Sequence, residues 1–183
     1  MIERIIAYHC APALAGIKPA NIVACYKDKI PSVHQELKRL NGQLNRKGIY
    51  FEILCECEKR VLLMVYRKDC LYRCLCETEI NALLHTFGYG PATDLQQYIA
   101  VLKRRLCNCE FPHEIGAFLG YPAHDIYGFM HHRDEGCLLT GEWKVYKDAE
   151  TAKQLFFRYN ACRCALVKRI AQGKTLAEIF CAA

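Results

Sequence analysis

Most of the features that would name a function outright are missing from this chain. No apolar run approaches the roughly 20 residues that a membrane-crossing helix needs. The opening Met1-Ile2-Glu3-Arg4-Ile5-Ile6-Ala7 carries an acid and only a very short apolar stretch, so no signal peptide is expected. Cys181 stands one residue short of a prenylation box. We therefore expect a cytoplasmic protein with no membrane partner. Ser/Gly linkers, low-complexity stretches and internal repeats are absent, so residues 1–183 are expected to form a single domain. Cys-x-x-Cys, the spacing of zinc ribbons and thioredoxin-like sites, does not occur. Neither does His-Glu-x-x-His: position 117, where the second histidine would stand, is alanine. The net charge of +6 is modest and dispersed, and its densest run, Lys103-Arg104-Arg105, lies on an amphipathic helix. No aromatic platform accompanies it, so nucleic acid is not expected as a partner.

Cysteine, by contrast, is abundant. Thirteen cysteines in 183 residues, an odd count with no sign of export, fit free thiols in a reducing compartment better than a disulfide framework. Eight of them fall in Cys-x-Cys pairs: Cys55/Cys57, Cys74/Cys76, Cys107/Cys109 and Cys162/Cys164. Helical residues two apart diverge, so the pairs at 74/76 and 162/164 cannot chelate one ion unaided. Cys55 and Cys57 are expected to continue the apolar row of Phe51 and Ile53 on a strand, as small hydrophobes. Cys107 and Cys109 lie at a helix end, close to His113 in sequence. Cys10 stands apart, following His9 and preceding Pro12 at the mouth of an expected loop, where a thiol of lowered pKa could act as a nucleophile.

With 52% hydrophobic and 24% charged residues, the chain has the composition of a globular domain. Residues 2–8 read as a short helix, and 18–27 as a helix or an extended segment. Ser32 is placed to cap a helix running to about Arg46, with Gly48 ending it. Alternation over Ile49–Cys57 predicts a half-buried strand; Val61–Tyr66, apolar on both faces, predicts a central strand joined to it by a hairpin. Asp69 is placed to cap a long helix to Phe87, and Thr93 or Asp94 to open the next. Pro112 and Pro122 suit the first turns of short helices, and Trp143–Tyr146 reads as a strand. Asp148 should cap the most regular helix, whose stripe is Ala152, Leu155, Phe156, Tyr159, Cys162, Leu166 and Ile170; Thr175 starts a last turn. The fold class is α+β, mostly helical, around a small antiparallel sheet.

The most informative stretch is Phe111-Pro112-His113-Glu114-Ile115-Gly116-Ala117-Phe118-Leu119-Gly120-Tyr121-Pro122. It holds a histidine and a carboxylate at an expected helix start, and its Gly-Tyr-Pro turn aims a second helix bearing Asp125 back towards them. An imidazole at a helix N-terminus is favoured in its neutral form, able to serve as base or ligand. Cys10, His113 and Asp125, or Glu114 in place of Asp125, would then be nucleophile, base and orienter of a thiol-dependent acyl or group transfer. A binding reading competes with it. In that reading His9, Cys10 and His113 contact a metal, haem or flavin, while Lys18, Arg67, Tyr121, Lys144 and Tyr146 receive a small anionic or redox ligand. A metal alone would draw on His113, His124, His131 and His132, although the last two are adjacent and diverge on a helix. A non-catalytic adaptor is the third reading, in which these blocks are only turns and packing.

His9-Cys10-Ala11-Pro12 with Leu14-Ala15-Gly16-Ile17-Lys18, the Phe111–Pro122 block, Asp125, Gly128-Phe129 and Gly141-x-Trp143-Lys144-Val145-Tyr146 together resemble a bacterial family known as domain of unknown function thirty-seven ninety-three. The resemblance covers nearly the whole chain. It implies no activity and so carries no catalytic role to any residue. It does imply an anaerobic bacterial host, in which many thiols are tolerated, and it hints at redox or metal biology. The chain departs from the family pattern at Ala13, where a threonine is expected; the hydroxyl it would place beside Cys10 is missing.

Overall fold

The centre of the molecule is built where hydrophobicity alternates with period two. In a computed structural model, which describes residues 1–90, 94–108 and 111–181, strands β1 (Ala20–Tyr26), β2 (Ile49–Glu56) and β3 (Arg60–Arg67) form an antiparallel sheet in the order β1-β3-β2. β2 and β3 make the expected hairpin, and the segment left open at 18–27 is the strand on the other side of β3. The middle position of β3 explains its two apolar faces. Val61, Leu63 and Val65 point into one core; Met64 and Tyr66 point into a second.

Helices cover both faces. On the first lie α1 (Ile2–Leu14) and α2 (Val33–Leu44), with α8 (Ala149–Ala171) and α9 (Leu176–Cys181). On the second lie α3 (Lys68–Leu75), α4 (Thr78–Thr86), α5 (Leu95–Leu106), the single turn α6 (Ile115–Phe118) and α7 (Ala123–His132). Among the described residues, helices thus dominate around a small antiparallel sheet, an α+β architecture as expected. The Asp94 and Asp148 carboxylates accept from the Gln97 and Thr151 amides, 3.0 and 3.2 Å away, capping α5 and α8. Thr93, the other candidate for the α5 cap, lies outside the described residues. After α2 a short 3-10 turn ends at Gly48, which adopts φ 75°. Asn41 on α2 exchanges two hydrogen bonds with the Phe51 backbone, at 2.8 and 2.9 Å, and so docks the helix beside β2.

Three expectations are corrected. First, α1 does not stop near residue 8 but continues through Pro12 to Leu14. A proline here removes one amide donor and orphans the Tyr8 carbonyl; Arg163 Nε donates to that carbonyl at 2.9 Å, and Asn21 Oδ1 accepts from the Ala13 amide at 3.1 Å. Second, the long helix from Asp69 is two helices, broken at Cys76-Glu77, and α3 begins one residue before Asp69. Third, a β-bulge between Ile53 and Cys55 shifts the register, so Cys55 pairs with Leu62 and leaves the row of Phe51 and Ile53.

A third, smaller core lies beside the main two. The two-residue strands β4 (Leu139–Thr140) and β5 (Lys144–Val145) form a hairpin whose Trp143 and Val145 pack on Ala152 and Tyr159 of α8. The predicted stripe of α8 therefore serves two cores, its first half covering this hairpin and Leu166 and Ile170 covering the main sheet.

Candidate functional site

The helix expected to open at Pro112 opens three residues later: His113 and Glu114 form a turn, the single turn α6 follows over Ile115–Phe118, and the Gly120-Tyr121-Pro122 turn leads into α7. Gly120 sits at φ 71°, and a Cβ there would come within 2.6 Å of the Pro19 ring, so only glycine lets the block approach the α1–β1 loop this closely. Gly128 plays the corresponding part on α7, where a Cβ would lie 2.5 Å from Tyr146 Cγ. The two glycines draw the β5 segment and the α1–β1 loop onto the block.

Asp125 organises this corner. It is 2% exposed. Its Oδ2 accepts from Trp143 Nε1 at 2.7 Å, and its Oδ1 from the amides of Tyr146 at 2.7 Å and Lys147 at 3.3 Å. The carboxylate thus pins the hairpin to α7. It does not orient His113, whose Nε2 instead lies 3.3 Å from Arg133 Nη1. Arginine only donates, so Nε2 accepts in that contact and the ring proton belongs on Nδ1. The imidazole rests edge-on against Phe129, with centroids 5.3 Å apart, and near Phe111.

Glu114 is fully buried. Its Oε1 accepts from Arg105 Nε and from the Tyr89 hydroxyl, the latter at 3.2 Å, while Oε2 has no hydrogen-bond partner among the described residues. Burial and the adjacent carboxylate push the Tyr89 phenol far up. Glu114 therefore ties α5 and the end of the α4 segment to the block and has no open face to a ligand.

Cys10 is not part of this corner. Its thiol is wholly enclosed in the first core, and burial, reinforced by Cys25, pushes its pKa well above the ordinary thiol range. The proposed relay of Cys10, His113 and Asp125 is therefore not assembled: the thiol is in a different core, and both Asp125 oxygens are engaged elsewhere. Among the described residues the thiol with a depressed pKa is Cys57, exposed at the β2–β3 turn, where the amides of Lys59 and Arg60 favour the thiolate. Iodoacetamide should accordingly modify Cys57 first, and Cys10 roughly a thousandfold or more slowly, because Cys10 must wait for an opening that costs several kcal/mol; peptide mass mapping over time reads the order.

The remaining candidates divide. Arg67 donates from Nε and Nη2 to the Leu14 carbonyl, at 2.9 and 2.7 Å, so it closes the end of α1 and is no ligand contact. His9 lies on the exposed face of α1, edge-on to Tyr8, its pKa lowered by partial burial and by Arg163. The Tyr146 hydroxyl bonds the Arg133 carbonyl. Tyr121, Lys144, His113 and Asp125 do meet, around a cavity of about 340 Å³ whose apolar walls include Ile115, Leu119, Phe129 and Trp143. Lys144 and Arg133 both lie over the Phe129 ring, at 5.6 and 5.5 Å, and Lys144 also pairs with the exposed Asp134. Tyr121 is a shared wall. One face stacks on Trp143 at 4.9 Å, and the ring also borders an open groove of about 810 Å³ that contains Lys18.

No three described His, Cys, Asp or Glu side chains converge to hold a metal ion. His131 stacks on Tyr127, and His132 lies 6.4 Å from His131 in an edge contact. Cys109, of the Cys107/Cys109 pair, lies outside the described residues. Sequence reasoning missed Phe129 and Arg133 as site residues, although Phe129, four residues after Asp125, shares its face of α7; Arg133 is the residue that ends the helix.

Among the described residues no helix is long and apolar enough to cross a membrane. Residues 6–180 match the model of a family described as "Protein of unknown function (DUF3793)". No curated protein and no solved structure matches the chain.

Proposed function

The chain belongs to the DUF3793 family of proteins of unknown function, and from its site we propose that it binds a small molecule with an apolar body and an anionic group. One observation carries this: the cavity walled by Phe129, Trp143, Ile115 and Leu119 has a cation, Lys144, on its wall, and Arg133 joins Lys144 over the Phe129 ring. About 340 Å³ is at the small end of the roughly 300–1,000 Å³ range of ligand cavities. That favours a ring or a short acyl chain over a haem or flavin. A ligand carboxylate would displace the exposed Asp134 from Lys144, exchanging a solvated ion pair for a more enclosed one. Thiol chemistry through Cys10 has no support in a buried, protonated thiol. Free thiols, a cytoplasmic setting and an anaerobic host belong to the same proposal, with neither nucleic acid nor membrane as partner.

Trp143 is the only tryptophan and lines the cavity, so its emission reports occupancy. Titration with phenylacetate, phenylbutyrate and octanoate should shift that emission saturably, and the corresponding amides should bind more weakly. Lys144→Ala should weaken the best carboxylate about tenfold or more, the scale of a lost charge-assisted contact. If neither emission nor calorimetry shows saturable binding up to millimolar ligand, the adaptor reading takes its place.

A further inference from the structure

Lys18 is the one lysine that is buried among the described residues, 3% exposed, and it forms part of the wall of the larger groove. We propose that Lys18 is a reactive amine that captures small aldehydes or ketones from this groove as a Schiff base. The inference does not depend on the smaller cavity, which Lys18 does not line.

The groove runs between the α1–β1 loop, the α3–α4 region and the Gly120-Tyr121-Pro122 turn. Within it the Lys18 ammonium lies between two aromatic rings, 5.3 Å from the Tyr121 centroid and 5.4 Å from that of Tyr159. Glu142 Oε2, from the β4–β5 turn, is 3.8 Å away, and the other oxygen of Glu142 is held by Arg163 Nη2 at 2.7 Å. The groups facing the amine are therefore Tyr121, Glu142 and the α8 residues Tyr159 and Arg163, with Cys10 of α1 behind it. Burial lowers the lysine pKa most, Arg163 lowers it further, and Glu142 and Cys10 oppose; the net direction is down.

The chemistry closes with these residues. The Lys18 ammonium gives one proton to the Glu142 carboxylate, and the freed lone pair attacks the carbonyl carbon, forming a C–N bond as the π electrons move to oxygen. The carbinolamine oxygen takes that proton back from Glu142 and a second one from the attacking nitrogen, and departs as water while the nitrogen pair closes the C=N bond, leaving a protonated imine with one N–H. No oxidant or reductant is needed. The imine cation keeps the charge where the ammonium had it, between the faces of Tyr121 and Tyr159, and cation–π attraction favours both alike.

Reductive alkylation tests this on the intact protein. Acetaldehyde and sodium cyanoborohydride at pH 7, followed by peptide mass mapping of initial rates, should ethylate Lys18 severalfold faster than any exposed lysine, since a lowered pKa enlarges the free-amine fraction. At pH 10, where the other lysines lose their protons, the advantage should largely vanish. Lys18→Arg should remove this label and leave the rest of the pattern unchanged. Ethylation of Lys18 at pH 7 no faster than that of the exposed lysines, or none at all, overturns the proposal.

Discussion

Asp125→Ala should destabilise the protein by about 3–5 kcal/mol, the sum of two or three buried donors left without acceptors. The Trp143 indole N–H and the Tyr146 amide both point at a carboxylate that is 2% exposed, and the Lys147 amide shares it at longer range. Alanine offers none of them a partner; the neighbouring His124, whose Nε2 lies 3.5 Å from Oδ1, is half-exposed. Asp125→Asn should cost less. Its carbonyl oxygen can still serve the backbone amides, but its NH2 then faces the indole N–H, donor against donor. Urea unfolding followed in parallel by Trp143 emission and far-ultraviolet circular dichroism measures both variants. Combining Asp125→Ala with Trp143→Phe removes the orphaned indole donor, so the double variant should lose clearly less than the sum of the single losses. Additive losses would show that Asp125 acts through something other than the indole.

The pair of half-buried Arg105 and fully buried Glu114 should give the second large effect. Arg105→Met leaves a fully enclosed carboxylate with the Tyr89 hydroxyl as its remaining described donor. Stranding one half of a buried ion pair costs about 3–5 kcal/mol. Replacing both partners, Arg105→Met with Glu114→Leu, should recover much of that loss, because the enclosed carboxylate is then gone; Tyr89 would still lack an acceptor, so recovery should be incomplete. The contrast between single and double variants in denaturant midpoint is the measurement. Equal losses in both would mean that the charge pairing contributes little and that packing of the Arg105 stem over Phe87, 5.2 Å from guanidinium to ring, dominates.

The parts of the fold that local chemistry dictates were legible. Alternation in β2, two-sided apolarity in β3 and the side-chain caps at Asp94 and Asp148 each act within a few residues, so spacing alone reveals them. Where the reading went astray, the deciding partner was remote in sequence. Pro12 reads as a helix end until Arg163 and Asn21 take the groups it frees. Nothing between Asp69 and Phe87 marks the break at Cys76-Glu77, which has neither glycine nor proline. The bulge after Ile53, invisible in an uninterrupted alternation, turned Cys55 to the other face.

The site divides along the same line. His113, Tyr121 and Asp125 were legible as neighbours because a turn and a short helix bring them together, whereas Lys144 arrives on the β5 hairpin. Their roles were not. Asp125 binds an indole 18 residues onward, and Glu114 faces Arg105 and Tyr89 across two loops. Cys10 looked reactive only while its segment was read as a loop. Once α1 runs through it, the thiol faces Cys25 and Leu14 instead of solvent.

The bond pair between Asn41 and Phe51 reaches beyond α2. β2 is an outer strand, and its Phe51 N–H and C=O point away from β3, towards the position a fourth strand would take. The Asn41 amide offers the same donor and acceptor as a peptide group and occupies that position. A side chain thus stands in for a missing neighbour and closes the sheet to strand addition from another copy of the chain.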